Sequence, residues 1–557
     1  MKLIMDTKGH RFTSGAKWMF KTVCLFLCLT STVINGFDLT ILHTNDVHAR
    51  FQQFNKYGSG CSTDDATEGK CFGGVARRYT KVEEIRRTHD HVLFLDGGDQ
   101  FMGTSWFTVY GGKAASHFMN MLGYDVMCIG NHEFDLGVGA LEQFLGNVTF
   151  DVVSSNTDVS NEPNLNGLFT KTTTKEFDGE SIGIIGYTTA ETSKISNPGP
   201  TVSFTDVVTA VTQEVASLEL QGINKIIALG HAGITIDKQV AAIDGVDIVV
   251  GGHSNTFLYN GEKPSNHDIQ GPYPIVITQP GGGQGKAGNP IILDNSVVEN
   301  TTILQELAKW STEVDALNNE ELGTSKVFLE GHRDVCRLEE CNLGNVVTDA
   351  IVDYHVKFEH PENQWAPAAI AIWNGGGIRS SIDKGSVSMG NVLNVLPFRN
   401  EIDIVTVKGS NLREQLEYGI SLWTRDDPAG AFLQVSGLRV MYDMEQPVGS
   451  RVASVEVRCL KCTIPSYSPL DDTKNYKLLV STFLLGGGDG YNFVYSERQS
   501  FNTLDSITLV EYIRNRSPIT TGIEGRIKFG SSTVSSSSVI TGVPLLCLMS
   551  LLFVVFM

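Results

Sequence analysis

The chain has 557 residues, 41% of them hydrophobic and 19% charged, which supplies a sizeable core and excludes wholesale disorder. At roughly 150 residues per domain, this length predicts two to four compact units. A formal charge of -19 excludes a broad nucleic-acid-binding face, yet an anionic substrate remains compatible wherever a few arginines or metal ions reverse the local field.

At the start of the chain, basic Lys17 and Lys21 precede the apolar run Thr22–Ile34 and small Asn35-Gly36. That run is too short to span a bilayer, and the layout is that of a secretory signal peptide over residues 1–36. A buried N-terminal strand is the competing reading, and it leaves the basic flank unexplained. From Phe37 to residue 300, β-rich runs such as FDLTILHTND, HVLFLDGGD, YDVMCIGNHE, SIGIIGY, NKIIALGHAG and VDIVVGGHS end in glycine or polar clusters. Amphipathic stretches, Val75–Thr88 and Ala114–Leu122 among them, lie between these runs. The pattern predicts a layered α/β unit whose buried strands carry polar chemistry at their ends. Leu304, Leu307, Trp310, Val314 and Leu317 then recur at helical spacing and predict a linker helix over 301–323. A second α/β unit, 324–529, contains the glycine-rich segments NGGGIRS and FLLGGGDGYN.

The C-terminal segment, 530–557, begins with Gly530, Ser531 and Ser532, continues through a Ser-rich spacer and ends in the apolar run Val543–Met557. Small residues, a polar spacer and a terminal apolar tail read as a signal for glycosylphosphatidylinositol (GPI) attachment. A C-terminal membrane helix is the alternative, and the run is short for one. Outside the two terminal segments the cysteines fall as close pairs, Cys61/Cys71, Cys336/Cys341 and Cys459/Cys462, plus Cys128. Such pairs suit loop-closing disulfides in an oxidising compartment. Sequons at Asn147, Asn300 and Asn515 fit the same compartment.

The chemistry gathers at five strand ends. Asp46 and His48 are two apart in HTNDVHAR, on one side of an extended chain. Asp99 follows two glycines in LFLDGGDQ, Asn131 and His132 stand in CIGNHEFD with Asp135 three residues on, and His231 and His253 each follow an apolar strand and a glycine. A single such residue carries little weight. Five strand ends together offer oxygen and imidazole donors without thiolate, a set that suits Zn²⁺, Mn²⁺ or Fe without distinguishing them. Two ions about 3.5 to 4 Å apart would clamp a phosphoryl oxygen and generate hydroxide near neutral pH.

The blocks DVH, GDQ, GNHEFD, GHAG and GGHSNTF, in that order, resemble the five metallophosphoesterase blocks in their 5′-nucleotidase form, and the likeness continues through NGGGIRS, LPF and GGDGYNF. Within that family the C-terminal segment is similar to the GPI-anchored branch rather than the secreted apyrases. The resemblance implies a metallophosphoesterase-type layered α/β sandwich (37–300), joined by the linker helix to a C-terminal α/β nucleotide-binding domain. It implies two divalent ions, zinc foremost: Asp46, His48 and Asn255 on one, Asn131, His231 and His253 on the other, Asp99 bridging. His132 would contact the phosphate, and Asp135 would orient its imidazole. Arg337, Arg379, Asn374 and Asp489 would hold phosphate, base and ribose, with Phe398 and Phe483 stacking on the base.

The expected reaction is hydrolysis of a nucleoside 5′-monophosphate, AMP foremost, by a homodimer anchored by lipid on the outer face of the plasma membrane. An ATP- and ADP-cleaving apyrase and a surface binding protein of the same fold remain alternatives. Two departures stand out. QPGGGQGKAG (279–288) replaces a longer family segment that contributes sheet edge, and Arg399-Asn400 replace small residues after LPF.

Overall fold

The computed structural model describes residues 37–530 apart from 57, 59, 265–268, 278–287 and 359–363. The signal-peptide reading of 1–36, nearly all of the GPI-attachment segment and most of the shortened segment lie outside the described residues. No helix among the described residues is long and apolar enough to cross a membrane.

The N-terminal unit is built from two sheets. Thr40–Thr44 (β1), Val92–Asp96 (β2), Val126–Cys128 (β3) and Asp151–Val153 (β4) form a parallel sheet in that order. Thr172–Phe177 (β5), Glu180–Thr188 (β6), Ile226–His231 (β7) and Ile248–Val250 (β8) form the second, in the order β8-β7-β6-β5, parallel except for the β5–β6 hairpin. Side chains alternate between faces along each strand, so one set packs between the sheets and the other faces helices. Ile41, Leu93, Leu95, Val126, Ile184, Ile227 and Leu229 fill the space between the sheets. Phe94 and Met127 point instead to a core that includes Phe118 and Leu141, while Ile185, Tyr187 and Ala228 face the helix Val207–Leu220. The result is a four-layer sandwich with the carboxyl ends of its parallel strands gathered on one rim.

The helix Thr301–Asn318 opens with Asn300 as its N-cap, whose side chain accepts from Ile303 N. Its apolar stripe, Ile303, Leu307 and Val314, packs into the first-sheet core. The helix is therefore docked on the N-terminal unit, and Glu321–Ser325 already pairs with Gly385–Ser388 in the C-terminal one. The C-terminal unit carries a five-stranded sheet made of Ile370–Asn374 (β9), Glu401–Lys408 (β10), Leu433–Ser436 (β11), Asn475–Ser481 (β12) and Tyr495–Leu504 (β13), ordered β11-β9-β12-β10-β13. All three close cysteine pairs are disulfides, and Cys128 is free and buried between the N-terminal sheets.

At the shortened segment, β1 and β8 are the outer strands of their sheets among the described residues. A cavity of about 390 Å³, lined in part by Leu42, Val82, Phe94, Val250, Ile275 and Leu293, opens beside them.

Because Leu307 is 7% exposed within the first-sheet core, Leu307→Ala should cost about 2–4 kcal/mol through lost burial and a residual cavity. Urea unfolding of the N-terminal unit measures this, and a loss under 1 kcal/mol (a ~5-fold change in the folding constant) would mean that the helix is not docked as described.

Candidate active site

The loops after β1, β2, β3, β7 and β8 converge on Asp99. Its Oδ2 lies 2.9 Å from His231 Nε2 and 3.9 Å from both His48 Nε2 and His132 Nε2. Asp46 Oδ1 is 3.8 Å from His48 Nε2, and Asp46 Oδ2 accepts from Asn45 Nδ2 and His253 N. Asn131 Oδ1 stands 2.9 Å from His253 Nδ1. Two groups of donors meet within 4.8 Å: His48, Asp99 and His132, and Asp99, His231 and His253.

Tautomers are set from behind. His231 Nδ1 lies 2.6 Å from Gly97 O and His48 Nδ1 3.0 Å from Phe101 O, so each ring donates at Nδ1 and presents the Nε2 lone pair to Asp99. His231 Nε2 is buried without a hydrogen-bond partner of proper geometry despite its 2.9 Å approach to the carboxylate. Converging lone pairs on a buried acid are what a divalent cation satisfies, so the donor set fits metal. Without metal, a proton would take that place. Burial disfavours charge on His231, but Asp99 and Asp46 outweigh it and raise its pKa to about 10, whereas burial lowers His48 to about 3 and His253 to about 4. A divalent ion held at His231 would take the place of that proton.

Close approach dictates local sequence here. A Cβ on Gly252 would sit 2.8 Å from both Gly97 O and His231 Nδ1, so only glycine lets the His253 loop lie against the first sheet.

His132 stands at the rim with Nδ1 2.6 Å from Asp135 Oδ2, and Asp135 Oδ1 accepts from Ser196 Oγ at 2.6 Å. Burial opposes a charge on this imidazole, but Asp135 and Asp99 prevail and raise its pKa. Asn255 lines the same cavity and donates to His253 O at 3.3 Å.

Across a cavity of about 1040 Å³ the C-terminal unit presents Arg337, Asn374, Arg379, Phe398, Phe483 and Asp489. Asn374 Nδ2 donates to Asp489 Oδ2 at 2.7 Å. The Phe398 ring stacks on His132 at 5.7 Å, with the Arg379 guanidinium 5.6 Å from its centre. All fifteen side chains singled out in the sequence thus line this cavity or, for His231, lie directly beneath it.

Residues 39–257 match the calcineurin-like phosphoesterase family, and residues 321–495 match the 5′-nucleotidase C-terminal domain family. The chain is 41% identical to the 5′-nucleotidase of Mus musculus, over 90% of this chain and 92% of that one. The chain belongs to the 5′-nucleotidase family. It is also 40% identical to the snake venom 5′-nucleotidase of Naja atra, over 90% of this chain and all of that one. The solved 5′-nucleotidase precursor from Thermus thermophilus superposes with a TM-score of 0.79 at 36% identity, covering 88% of this chain and 99% of that one. Membership in the 5′-nucleotidase family makes this chain a phosphoric monoester hydrolase that works with divalent metal ions.

Two buried residues that sequence reasoning passed over hold the site together. The Glu133 carboxylate accepts from the backbone N–H groups of Gly130, Asp99, Gln100 and Phe101 at 2.7–3.1 Å, locking the Asp99 loop to the Asn131 loop. Gln434 does the same for Arg337: its amide donates to Cys336 O and Glu339 O and accepts from Cys341 N, bracing the disulfide loop on β11. Glu133 lies inside a quoted motif, but nothing in the motif says that it faces backbone.

Replacing the buried Glu133 by Gln leaves one carbonyl oxygen where two carboxylate oxygens serve four donors. Zinc affinity, titrated against a chromophoric chelator, should fall roughly 10–100-fold as the Asp99 loop loosens. Wild-type affinity in Glu133→Gln would remove this residue from the site's support.

Proposed function

We propose that this protein hydrolyses nucleoside 5′-monophosphates, AMP foremost, to nucleoside and phosphate, with two divalent ions, zinc foremost, on the extracellular side of the membrane. The observation that carries the reading is the position of Asp99, whose single oxygen Oδ2 stands within 3.9 Å of imidazoles from both donor groups, as a bridging ligand requires. In this reading Asp46, His48 and Asn255 would hold one ion and Asn131, His231 and His253 the other, with Asp99 contributing to both. The ions supply Lewis-acid polarisation of the phosphoryl group and a water acidic enough to attack at neutral pH.

The side chains do the rest. His132, held by Asp135, donates to the phosphoryl oxygens and protonates the leaving ribose oxygen; the short contact to Asp135 fixes Nδ1 as the inner nitrogen and leaves Nε2 for substrate. Arg337 and Arg379 neutralise phosphate charge with planar donor forks. Phe398 and Phe483 stack on the base, Asn374 hydrogen-bonds it, and Asp489 accepts from the ribose hydroxyls. Burial raises the Asp489 carboxyl, and its hydrogen bond from Asn374 and the field of Arg337 and Arg379 oppose that rise. Phosphate chemistry falls to the N-terminal unit with its docked helix Thr301–Asn318 and nucleoside binding to the unit that begins at the paired strand Glu321–Ser325, and rotation about the short link between them would deliver substrate to the metals. Three disulfides, the sequons and likeness to a venom enzyme support the extracellular placement.

Phosphate release from AMP, ADP and ATP, with and without chelator, tests the activity. AMP should be cleaved in a chelator-sensitive way, and His132→Ala should lower kcat about 10²–10⁴-fold with metal content retained. Cleavage of ATP but not AMP would make the protein an apyrase, and no cleavage with zinc or manganese supplied would make it a binding protein. The anchor has its own check: a phosphatidylinositol-specific phospholipase should release the protein from cells, and retention would favour a membrane helix.

A further inference from the structure

Besides Arg337 and Arg379, the cavity between the two units is lined by Arg333 and Arg399, and none of the roles above uses the Arg333 guanidinium. Arg333 opens the short helix Arg333–Cys336, four residues before Arg337. Its Nη1 donates to Ser254 O at 3.0 Å, a carbonyl between His253 and Asn255, and its Nη2 meets Asp427 Oδ1 at 2.9 Å. Arg337 Nη1 donates to Pro428 O at 3.2 Å, on the same loop.

Arg333, Arg337 and Arg379 line this one cavity. Arg379 is in the field of Asp99, Asp135 and Asp46 at the metal end, and Arg337 is in the field of Asp489 at the nucleoside end. Arg333 repels both, and with burial as the main cause the Arg337 guanidinium is lowered to about 9. Like charges held together at such cost call for an anion between them. The Nε–H groups of Arg333 and Arg337 are buried and have no acceptor among the described residues. Asp427, whose side chain is 50% exposed, is the carboxylate that pairs with Arg333, and a phosphate oxygen can take its place.

We propose that Arg333 is a specificity-determining residue that binds a second phosphate, so that a nucleoside diphosphate is held more tightly, relative to the monophosphate, than Arg337 and Arg379 alone would allow. This rests on the nucleotide reading above. A chain of two phosphates running from the metal loops toward Asp489 passes Arg333, which is fixed at the Ser254 carbonyl beside the metal-bearing loop. A monophosphate seated at the metals engages Arg379 and Arg337 and leaves Arg333 to Asp427.

The test compares two constants in the zinc-loaded full-length protein: KM for AMP, and the constant with which ADP competes against AMP, which reads binding whether or not ADP is turned over. In Arg333→Gln the ADP constant should rise about tenfold while KM for AMP changes less than about threefold. Arg333→Lys should recover part of the difference. Asp427→Asn, at an exposed position where folding is not at stake, should shift the ratio the other way by freeing the guanidinium. If both constants move by the same factor in Arg333→Gln, or the ratio is unchanged in Asp427→Asn, the proposal fails. If the wild-type protein releases no phosphate from AMP, the nucleotide reading and this proposal fall together; if it does and the ratio stays fixed, only this proposal falls.

Discussion

The site depends on one buried carboxylate with three imidazoles turned toward it. Asp99 is held on every side: its N–H donates to the Glu133 carboxylate, its carbonyl accepts from His48 N, and its Oδ1 accepts from His132 N. Only Oδ2 is left for ligands, and it is there that His231, His48 and His132 gather. Burial alone would push such an acid up, but the histidines, His231 first, hold it well below the usual carboxylate range. The anion is thus preformed, and the hydrogen bonds of the surrounding loops serve to aim it.

That aim requires backbone conformations that the sequence resists. Asp46, His48, Asp99, His253 and Asn255 all have positive φ, between 49° and 81°, without being glycine. Each such residue costs on the order of 1–3 kcal/mol and persists only where its surroundings over-determine it. Here the surroundings are the ladder between loops, Asp46 N to Gly98 O and His48 N to Asp99 O, set on strands whose inward side chains are almost all fully buried. Sandwich stability is therefore coupled to metal geometry: loosening the sheets lets the strained loops relax away from the ligand positions. Among the described residues β1 and β8 are outer strands, and they lie close to this coupling, since β1 leads to Asp46 and β8 to His253.

Much of this was legible because period-two burial and strand-end chemistry are local signals. An unbroken apolar run such as Leu93, Phe94, Leu95 announces a strand covered on both faces, and a polar cluster after a buried strand has few structural uses. The cysteine pairs were equally local. Glu133 was not legible, because three of its four partners lie 32 to 34 residues away and nothing in GNHEFD says which way its side chain turns. Gln434 braces carbonyls more than 90 residues distant for the same reason. The helix Thr301–Asn318 reads as a connector by position, and only its packing reveals that it belongs to the N-terminal core. Left-handed backbone at Asp46 or His48 carries no compositional mark at all, since neither is glycine.

Phe398 gives the two units a shared part. Resemblance assigns it to the base, yet in this structure its ring stacks on His132 and sits against Arg379, and it also packs on the first-sheet core. Its loop is fixed from the C-terminal side, where Asp505 N donates to Asn400 O and the Asp505 carboxylate accepts from Asn400 N. A ring tied to one unit and stacked on an imidazole of the other senses their relative position. Any rotation that opens the cavity must peel Phe398 from His132, exposing an imidazole that the stacked arrangement keeps from water. The position of the C-terminal unit and the exposure of His132 are thus linked through that one contact.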